Sequence, residues 1–218
     1  MSLRLERLDA VGRLALAYAP RQARAGLAAL FMLDDTLAAA LRLGRDPAVR
    51  QLRLTWWYEA LGRLDTAPPP PEPLLQALAA ELLPRGVRGA ELATLTDGWD
   101  VLLNPDPLSE AGLLAYAEGR GRVFTLAARV LGGAGAGVAP AGQGWALAEL
   151  AGHVSRVEEA RAAAALAAPL LAAGLREPWP RPLRPLAMIA AGAEQALRRP
   201  HAGALARLGV LLRRAWLE

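Results

Sequence analysis

Two adjacent acids, Asp34 and Asp35, lie in a segment that is otherwise apolar and predicted to be helical. An ionised carboxylate is unfavourable there unless it is paired, solvated or bound to a cation, so we expect at least one of them to line a cavity. Magnesium binds carboxylate oxygens, and a diphosphate supplies further oxygen ligands. The pair therefore fits a magnesium-diphosphate site. The alternative is that one acid faces solvent and the other pairs with Arg24 or Arg42.

Adjacent tryptophans, Trp56 and Trp57, occupy two faces of another predicted helix. Core packing explains most of this pattern. A tryptophan pair at the floor of a lipid-sized cavity is the alternative, since each indole N–H needs a partner. Arg53 lies one turn before the pair, where it would meet a phosphate or Asp34 unless it is solvated.

Two glycines, Gly119 and Gly121, interrupt the predicted helix that contains Tyr116. Each glycine costs about 1 kcal/mol of helix stability against alanine. This cost indicates that another helix or a ligand approaches the backbone closely, or that the helix is kinked. We expect close helix packing.

Metal ligands and nucleophiles are scarce in this chain. It has no cysteine and only two histidines, His153 and His201, which excludes thiolate sites and disfavours a Ser-His-acid triad. His153 and Glu149 are one helical turn apart, but no third metal ligand stands at the required spacing. We expect Glu158 and Glu159 to pair with the nearby arginines instead.

Helical spacing of apolar residues covers most of the chain, and no polar/apolar alternation is long enough for a strand, which predicts an all-α protein. Helices are predicted over residues 3–18, 21–43, 49–64, 74–83, 88–103, 109–131, 142–173 and 185–216, the last with a break near Pro200. In the third helix, two apolar stripes predict burial on two faces. The glycine-rich stretch 132–144 has neither a lysine nor a preceding strand, which predicts a flexible connection.

The composition bounds the class of protein. A chain of 218 residues without a long tether predicts one domain over residues 1–218, and a net charge of +4 does not demand a nucleic-acid partner. The N-terminus lacks the pattern of a secretory signal, and no stretch has the roughly 18 to 20 apolar residues that spanning a membrane needs, so we expect a cytoplasmic protein. Peripheral contact with membrane lipid or an acidic partner would involve the basic residues near the C-terminus. These are Arg198, Arg199, Arg207, Arg213 and Arg214.

Five blocks of the chain resemble, in order and spacing, successive motifs of the squalene/phytoene synthase family. They are residues 14–20, 25–37, 53–57, 116–121 and 183–187. The Trp-Trp block followed by the Tyr-x-x-Gly-x-Gly block carries most of the resemblance. It implies a single-domain, isoprenoid-synthase-like helical bundle around a central cavity, and in active members a magnesium-assisted head-to-head condensation of two prenyl diphosphates. The residues that it implies as cavity-lining are Phe31, Trp56, Trp57, Tyr116 and Gly119.

The sequence departs from this family at both of the acidic motifs. Active members carry two Asp-x-x-x-Asp motifs on facing helices, which together hold the magnesium ions. Asp34 matches the opening acid of the first motif, but its partner position is Ala38, and Phe31 replaces the usual upstream arginine. In the later helix, Glu158 and Glu159 are each followed four residues on by alanine.

We therefore expect a catalytically degenerate protein that binds a lipid or isoprenoid, or that acts with a protein partner in assembly, without a cofactor. The Arg-x-x-Trp-Trp-Tyr-Glu-Ala-Leu motif and the short length of the chain make it similar to the branch of the family that contains a mitochondrial complex I assembly factor. The alternative is an active prenyl-diphosphate transferase, which would require magnesium and two acid pairs facing each other across an open cavity. Its candidate diphosphate- and metal-facing residues are Asp34, Asp35, Arg53, Glu158 and Glu159.

Overall fold

A computed structural model describes residues 10–42, 46–104 and 106–198 of the chain, and these residues are helical with no strand among them. The predicted all-α class is confirmed for this part of the chain. The helices are α1 (Ala10–Tyr18), α2 (Arg21–Arg42), α3 (Pro47–Arg63), α4 (Pro73–Glu81), α5 (Gly89–Ala93), α6 (Leu95–Asp100), α7 (Glu110–Val130), α8 (Val138–His153), α9 (Val157–Arg176) and α10 (Arg184–Arg198). Short 3₁₀ turns lie at Leu83–Arg85, Val101–Leu103 and Arg181–Leu183. The predicted extensions of the first helix to residue 3 and of the last to residue 216 fall outside the described residues, as do His201 and four of the C-terminal arginines.

Local sequence signals set several of these helix ends. The Asp46 carboxylate accepts a 2.9 Å hydrogen bond from the Ala48 backbone N–H, and Pro47 occupies the first position of α3, where its missing N–H costs nothing. The Ser109 hydroxyl accepts a hydrogen bond of 3.2 Å from the Gly112 N–H and begins α7. The predicted cap of this helix at Ser109 is confirmed.

The prediction of one helix over residues 142–173 is wrong. The chain leaves α8 at Val154, which has an extended backbone (φ −77°, ψ 140°), and α9 begins after Arg156, which is also extended. Gly152 stands two residues before Val154, but the apolar periodicity continues past it and carried the prediction across the break. The break separates His153, at the end of α8, from Glu158, in the first turn of α9.

Helix α8 also begins earlier than predicted, at Val138, within the stretch that was predicted to be a flexible connection. Gly142 and Gly144 of this stretch are close-packing positions. A Cβ on Gly142 would lie 2.5 Å from the Gly121 carbonyl oxygen of α7, and one on Gly144 would lie 2.7 Å from the Leu171 side chain of α9. The flexible connection is therefore wrong for residues 138–144, because the absence of side chains there lets α8 pack against both α7 and α9.

A second close approach joins α6 and α7. A Cβ on Gly119 would lie 2.5 Å from the Gly98 nitrogen, and a Cβ on Gly98 would lie 2.5 Å from the Arg120 nitrogen. The predicted explanation of the helical glycines, close packing of another helix, is confirmed for Gly119 and Gly121. These contacts fix where the next side chain of α7, Arg120, enters the core.

One of the two predicted apolar stripes of α3 is buried and the other is exposed. Leu54, Trp57 and Leu61 lie in the core, whereas Leu52 is 68% exposed and Trp56 is 46% exposed. The second predicted stripe consists of Val49, Leu52, Trp56 and Ala60, and of these only Ala60 is buried, so the prediction that both faces of α3 are buried is wrong.

The core is a continuous apolar cluster that includes residues from α1 to α10. Leucine and alanine fill most of it, and its largest fully buried side chains are those of Tyr116 and Phe124 on α7. No helix in the described ranges has the length and apolar character that crossing a membrane requires.

Candidate functional site

A cavity of about 610 Å³ opens between α2, α7, α8 and α10 and is bordered by α1, α3 and α6. This volume lies within the range of small-molecule sites. Its apolar wall is formed mainly by the aromatic rings of Phe31, Trp99, Tyr116 and Trp145, with aliphatic side chains of α2, α8 and α10. The charged and polar side chains in its lining are Asp34, Asp35, Arg42, Arg50, Arg120, Glu149 and His153.

A buried ion pair joins α2 to α7 at this cavity. Arg120 Nε donates to Asp34 Oδ1 at 3.0 Å, and Nη2 donates to Asp34 Oδ2 at 2.8 Å. Both side chains are buried, with exposed fractions of 9% for Arg120 and 7% for Asp34. This two-point pairing matches the planar guanidinium to the carboxylate, which is the geometry that stabilises a buried charge best. Both oxygens of Asp34 are therefore occupied by a cation of the chain itself.

Aromatic rings enclose the guanidinium of this pair. Arg120 Cζ lies 4.3 Å from the Trp145 ring centroid and 4.7 Å from that of Trp99, both within cation–π range. Phe31 meets the Trp145 ring edge to face, with the centroids 6.1 Å apart. Burial acts to lower the pKa of Arg120, but attraction to the Asp34 carboxylate outweighs it and raises that pKa above its usual value. Arg120 thus remains a cation.

Tyr116 completes this cluster from the same face of α7. Its hydroxyl oxygen accepts a 2.9 Å hydrogen bond from Arg120 Nη1, and its ring meets Trp99 edge to face at 5.8 Å. Burial raises the pKa of Tyr116 to about 12, so the hydroxyl keeps its proton at neutral pH. Among the described residues, neither this hydroxyl hydrogen nor the Trp99 indole N–H has a hydrogen-bond acceptor.

The remaining charged groups lie along the less buried part of the lining. Asp35 pairs with Arg42 at 3.4 Å, which is one of the two pairings considered for these acids from the sequence. His153 Nδ1 donates to the Glu149 carbonyl oxygen at 2.7 Å. Arg24, the other arginine considered, donates instead to backbone carbonyl oxygens at the end of α1.

The structure brings together only some of the residues that the sequence singled out. Asp34, Asp35, Phe31 and Tyr116 are among the residues that line the cavity. The other six predicted residues, Arg53, Trp56, Trp57, Gly119, Glu158 and Glu159, are not part of its lining.

These six residues lie outside the cavity, at the surface or packed against other elements. Glu158 is an exposed residue of the first turn of α9 and pairs with Arg161 at 3.0 Å, its side chain being 85% exposed. Glu159 accepts a 3.2 Å hydrogen bond from the Leu108 N–H. Trp57 packs in the core below α3, Trp56 and Arg53 lie towards its surface, and Gly119 is covered by Gly98.

The donor set at the cavity does not fit a magnesium-diphosphate site. Both Asp34 oxygens accept from Arg120, the position four residues on is Ala38, and the α9 acids lie outside the lining. Within the described ranges, no group of three or more His, Asp or Glu side chains could hold a metal ion.

Sequence reasoning found Asp34 but missed its partner, Arg120, and the two tryptophans that enclose it. A signal was present. Arg120 follows Tyr116 by four residues and precedes Phe124 by four, so it stands on the apolar stripe of α7. One arginine on an apolar stripe and one acid on another indicate an internal ion pair.

Comparison of the chain with protein-family models and with curated proteins finds no match. The resemblance to the squalene/phytoene synthase family therefore stays a prediction that rests on the motifs described above.

Proposed function

We propose that this protein is a non-catalytic relative of the squalene/phytoene synthases that binds a lipid-like or isoprenoid molecule in its cavity. In this proposal the helices form an isoprenoid-synthase-like bundle whose cavity is kept while the metal chemistry is lost. The protein would act in the cytoplasm, and contact with a membrane surface would give a lipid access to the cavity.

The observation that carries the proposal is the Asp34–Arg120 ion pair at a cavity that has an aromatic wall. An acid that held magnesium would need free oxygens towards the ion, and here both oxygens accept hydrogen bonds from a guanidinium. The aromatic rings around the pair leave a wall suited to an apolar chain. Binding is therefore better supported than catalysis.

Binding is tested by titrating the protein with farnesol and following tryptophan fluorescence, since Trp99 and Trp145 both line the cavity. Ala38→Phe places a ring in the cavity, and Ala168→Phe makes the same change at an exposed position of α9. We expect saturable binding by the native chain and by Ala168→Phe, and at least tenfold weaker binding by Ala38→Phe. Equal affinity in all three would locate the binding elsewhere, and no saturable binding by the native chain would reject the proposal.

The transferase alternative has a test of its own. Farnesyl diphosphate is incubated with the protein and magnesium, and released diphosphate and condensed hydrocarbon are measured. We expect neither above a protein-free control, because Glu158 and Glu159 are not in the cavity with Asp34 and Asp35. Condensed product that disappears in Asp35→Asn would favour the transferase.

An assembly role with a protein partner is the second candidate, and the exposed α3 stripe of Val49, Leu52 and Trp56 favours it. Apolar side chains at successive turns of one helix suit the apolar face of another helix. A photo-crosslinking residue at position 52 tests this in cells, with position 168 as the control. A single adduct specific to position 52, lost on Trp56→Glu, is expected from this role, and identical adducts at both positions would reject it.

A further inference from the structure

The charged side chains in the cavity lining balance one another among the described residues. Three arginines, Arg42, Arg50 and Arg120, stand against three acids, Asp34, Asp35 and Glu149. A ligand with a multiply charged head group, such as a diphosphate, gains from a site that carries an excess of the opposite charge. The arginines and acids of the lining provide no such excess.

The most deeply buried cation of the lining already has its own counter-ion. Arg120 donates through Nε and Nη2 to Asp34 and through Nη1 to the Tyr116 hydroxyl, and its Cζ lies within cation–π range of two tryptophan rings. An anionic ligand at Arg120 would compete with Asp34 for this cation and would lie beside a buried carboxylate of like charge. An anion is therefore disfavoured at the floor of the cavity.

Two donors at the same place have no acceptor among the described residues, the Trp99 indole N–H and the Tyr116 hydroxyl, and the hydroxyl lies beside the ion pair. The Tyr116 hydroxyl oxygen accepts from Arg120, but no described residue accepts the hydrogen of this hydroxyl. The side chain is 1% exposed and belongs to the cavity lining. A buried donor without an acceptor is unfavourable, so an oxygen atom of a ligand would stabilise it.

We propose that the cavity takes an uncharged, chain-shaped molecule whose single polar group accepts a hydrogen bond from the Tyr116 hydroxyl. This inference rests on the proposed function and narrows its ligand to neutral alcohols, ketones or esters with a long apolar chain. In this arrangement the apolar chain of the ligand lies against the aromatic wall of the cavity. The charged side chains of the lining keep their ion-pair partners.

The test compares the affinities of three ligands that share a decyl chain and differ in their head group. The protein is titrated with 1-decanol, decyl phosphate and decylamine, with tryptophan fluorescence as the signal and calorimetry as confirmation. We expect 1-decanol to bind at least tenfold more tightly than either charged compound, with no effect of magnesium. Tighter binding of decyl phosphate, with or without magnesium, would overturn this inference and leave the proposed function intact. If none of the three shows saturable binding, both fail.

A single-charge variant tests the balance directly. Asp35→Asn gives the lining one excess positive charge, and Glu158→Gln makes the same change in net charge outside the cavity. At low salt we expect Asp35→Asn to strengthen decyl phosphate binding about fivefold while 1-decanol changes less than twofold. Glu158→Gln is expected to alter neither. Equal effects of the two variants would mean that the charge of the lining does not select the ligand.

The hydroxyl contact is tested by Tyr116→Phe with 1-decanol and decane. Removal of one neutral hydrogen bond is expected to weaken 1-decanol about fivefold and to leave decane unchanged. A purely structural role of the hydroxyl, through its contact with Arg120, would weaken both compounds equally and would overturn the assignment of Tyr116.

Discussion

Arg120 supplies the counter-ion of Asp34 from within the chain. The guanidinium also donates to the Tyr116 hydroxyl and lies within cation–π range of two indole rings. Asp34 thus has a structural partner. The ion pair between Asp34 and Arg120 links α2 to α7.

This link can be measured by a double-mutant cycle. Arg120→Met or Asp34→Leu alone leaves one buried charge without its partner, and we expect each to lower the free energy of unfolding by about 3–5 kcal/mol. The double variant removes both charges and is expected to recover most of the loss. Urea unfolding followed by circular dichroism measures all four chains. Losses that simply add in the double variant would show that the two side chains do not stabilise each other.

A second ion pair, between Glu91 of α5 and Arg129 of α7, makes stability depend on acid pH. The Arg129 guanidinium donates to both Glu91 oxygens at 2.9 Å and lowers the Glu91 pKa from 4.5 to about 2. Since the folded-state pKa is below the unfolded one, this stabilisation is complete above about pH 4.5 and is lost as the pH falls towards 2.

We expect Glu91→Gln to be less stable than the native chain by about 1 kcal/mol at pH 7, because Arg129 is partly exposed and solvent screens the pair. The difference should shrink as the pH is lowered from 4.5 to 2. Urea midpoints at pH 7, 4.5 and 2.5 measure this trend. A difference that is constant with pH would show that the carboxylate charge is not responsible.

At the scale of elements, glycines determine how closely α7 approaches its neighbours. Gly119→Ala would force a Cβ to 2.5 Å from the Gly98 nitrogen, so α6 and α7 must separate. We expect a loss of about 1–3 kcal/mol of unfolding free energy. Gly62→Ala in α3 is the matched control, because a Cβ there meets no atom within 4 Å.

The control variant should gain up to about 1 kcal/mol, since alanine favours the helix. Thermal and urea unfolding of the two variants provide the comparison. If Gly119→Ala were as stable as Gly62→Ala, the close contact between α6 and α7 would be refuted.

The two stripes of α3 give a test of burial within one helix. Leu52 is 68% exposed and Leu54 is 2% exposed. Leu54→Asp buries a carboxylate without a described partner and should prevent folding or cost more than 4 kcal/mol. Leu52→Asp should change the unfolding free energy by less than about 0.5 kcal/mol. Far-ultraviolet circular dichroism and urea titration measure the folding and stability of the two variants. A large loss of unfolding free energy in Leu52→Asp would mean that the exposed stripe is covered.

The two stripes of α3 show which features of the fold could be predicted from the sequence and which could not. Helical periodicity gives the positions of α2, α3 and α7 to within one or two residues, because it depends on local spacing. It does not say which of two apolar stripes is covered, because Trp56 and Trp57 look alike until the neighbouring helices are placed. The break after His153 was missed because the apolar periodicity runs across it, although Gly152 stands just before it. The acid Asp34 could be singled out from its surroundings, whereas its pairing with Arg120 spans 86 positions and required the fold.

At the scale of the whole molecule, the cavity distinguishes this bundle from a fully packed one. A dry void of about 610 Å³ would destabilise the fold by on the order of 10 kcal/mol, which is comparable with the total stability of a domain. The charged groups in the lining give water enough partners to occupy this space. A ligand that binds therefore displaces this water, and its binding free energy adds to the stability of the folded chain.

This linkage predicts a stability change that depends on the cavity. At a free farnesol concentration of about 100 times its Kd, the free energy of unfolding should rise by about 2.7 kcal/mol, because only the folded chain binds. For a domain of this length, that gain raises Tm by about 5–10 °C. Ala38→Phe, which occupies the cavity with its own ring, should show no such rise at the same concentration. Differential scanning calorimetry of both chains, with Ala168→Phe as the surface control, measures the shift. An equal rise in Ala38→Phe would mean that farnesol stabilises the chain from outside the cavity.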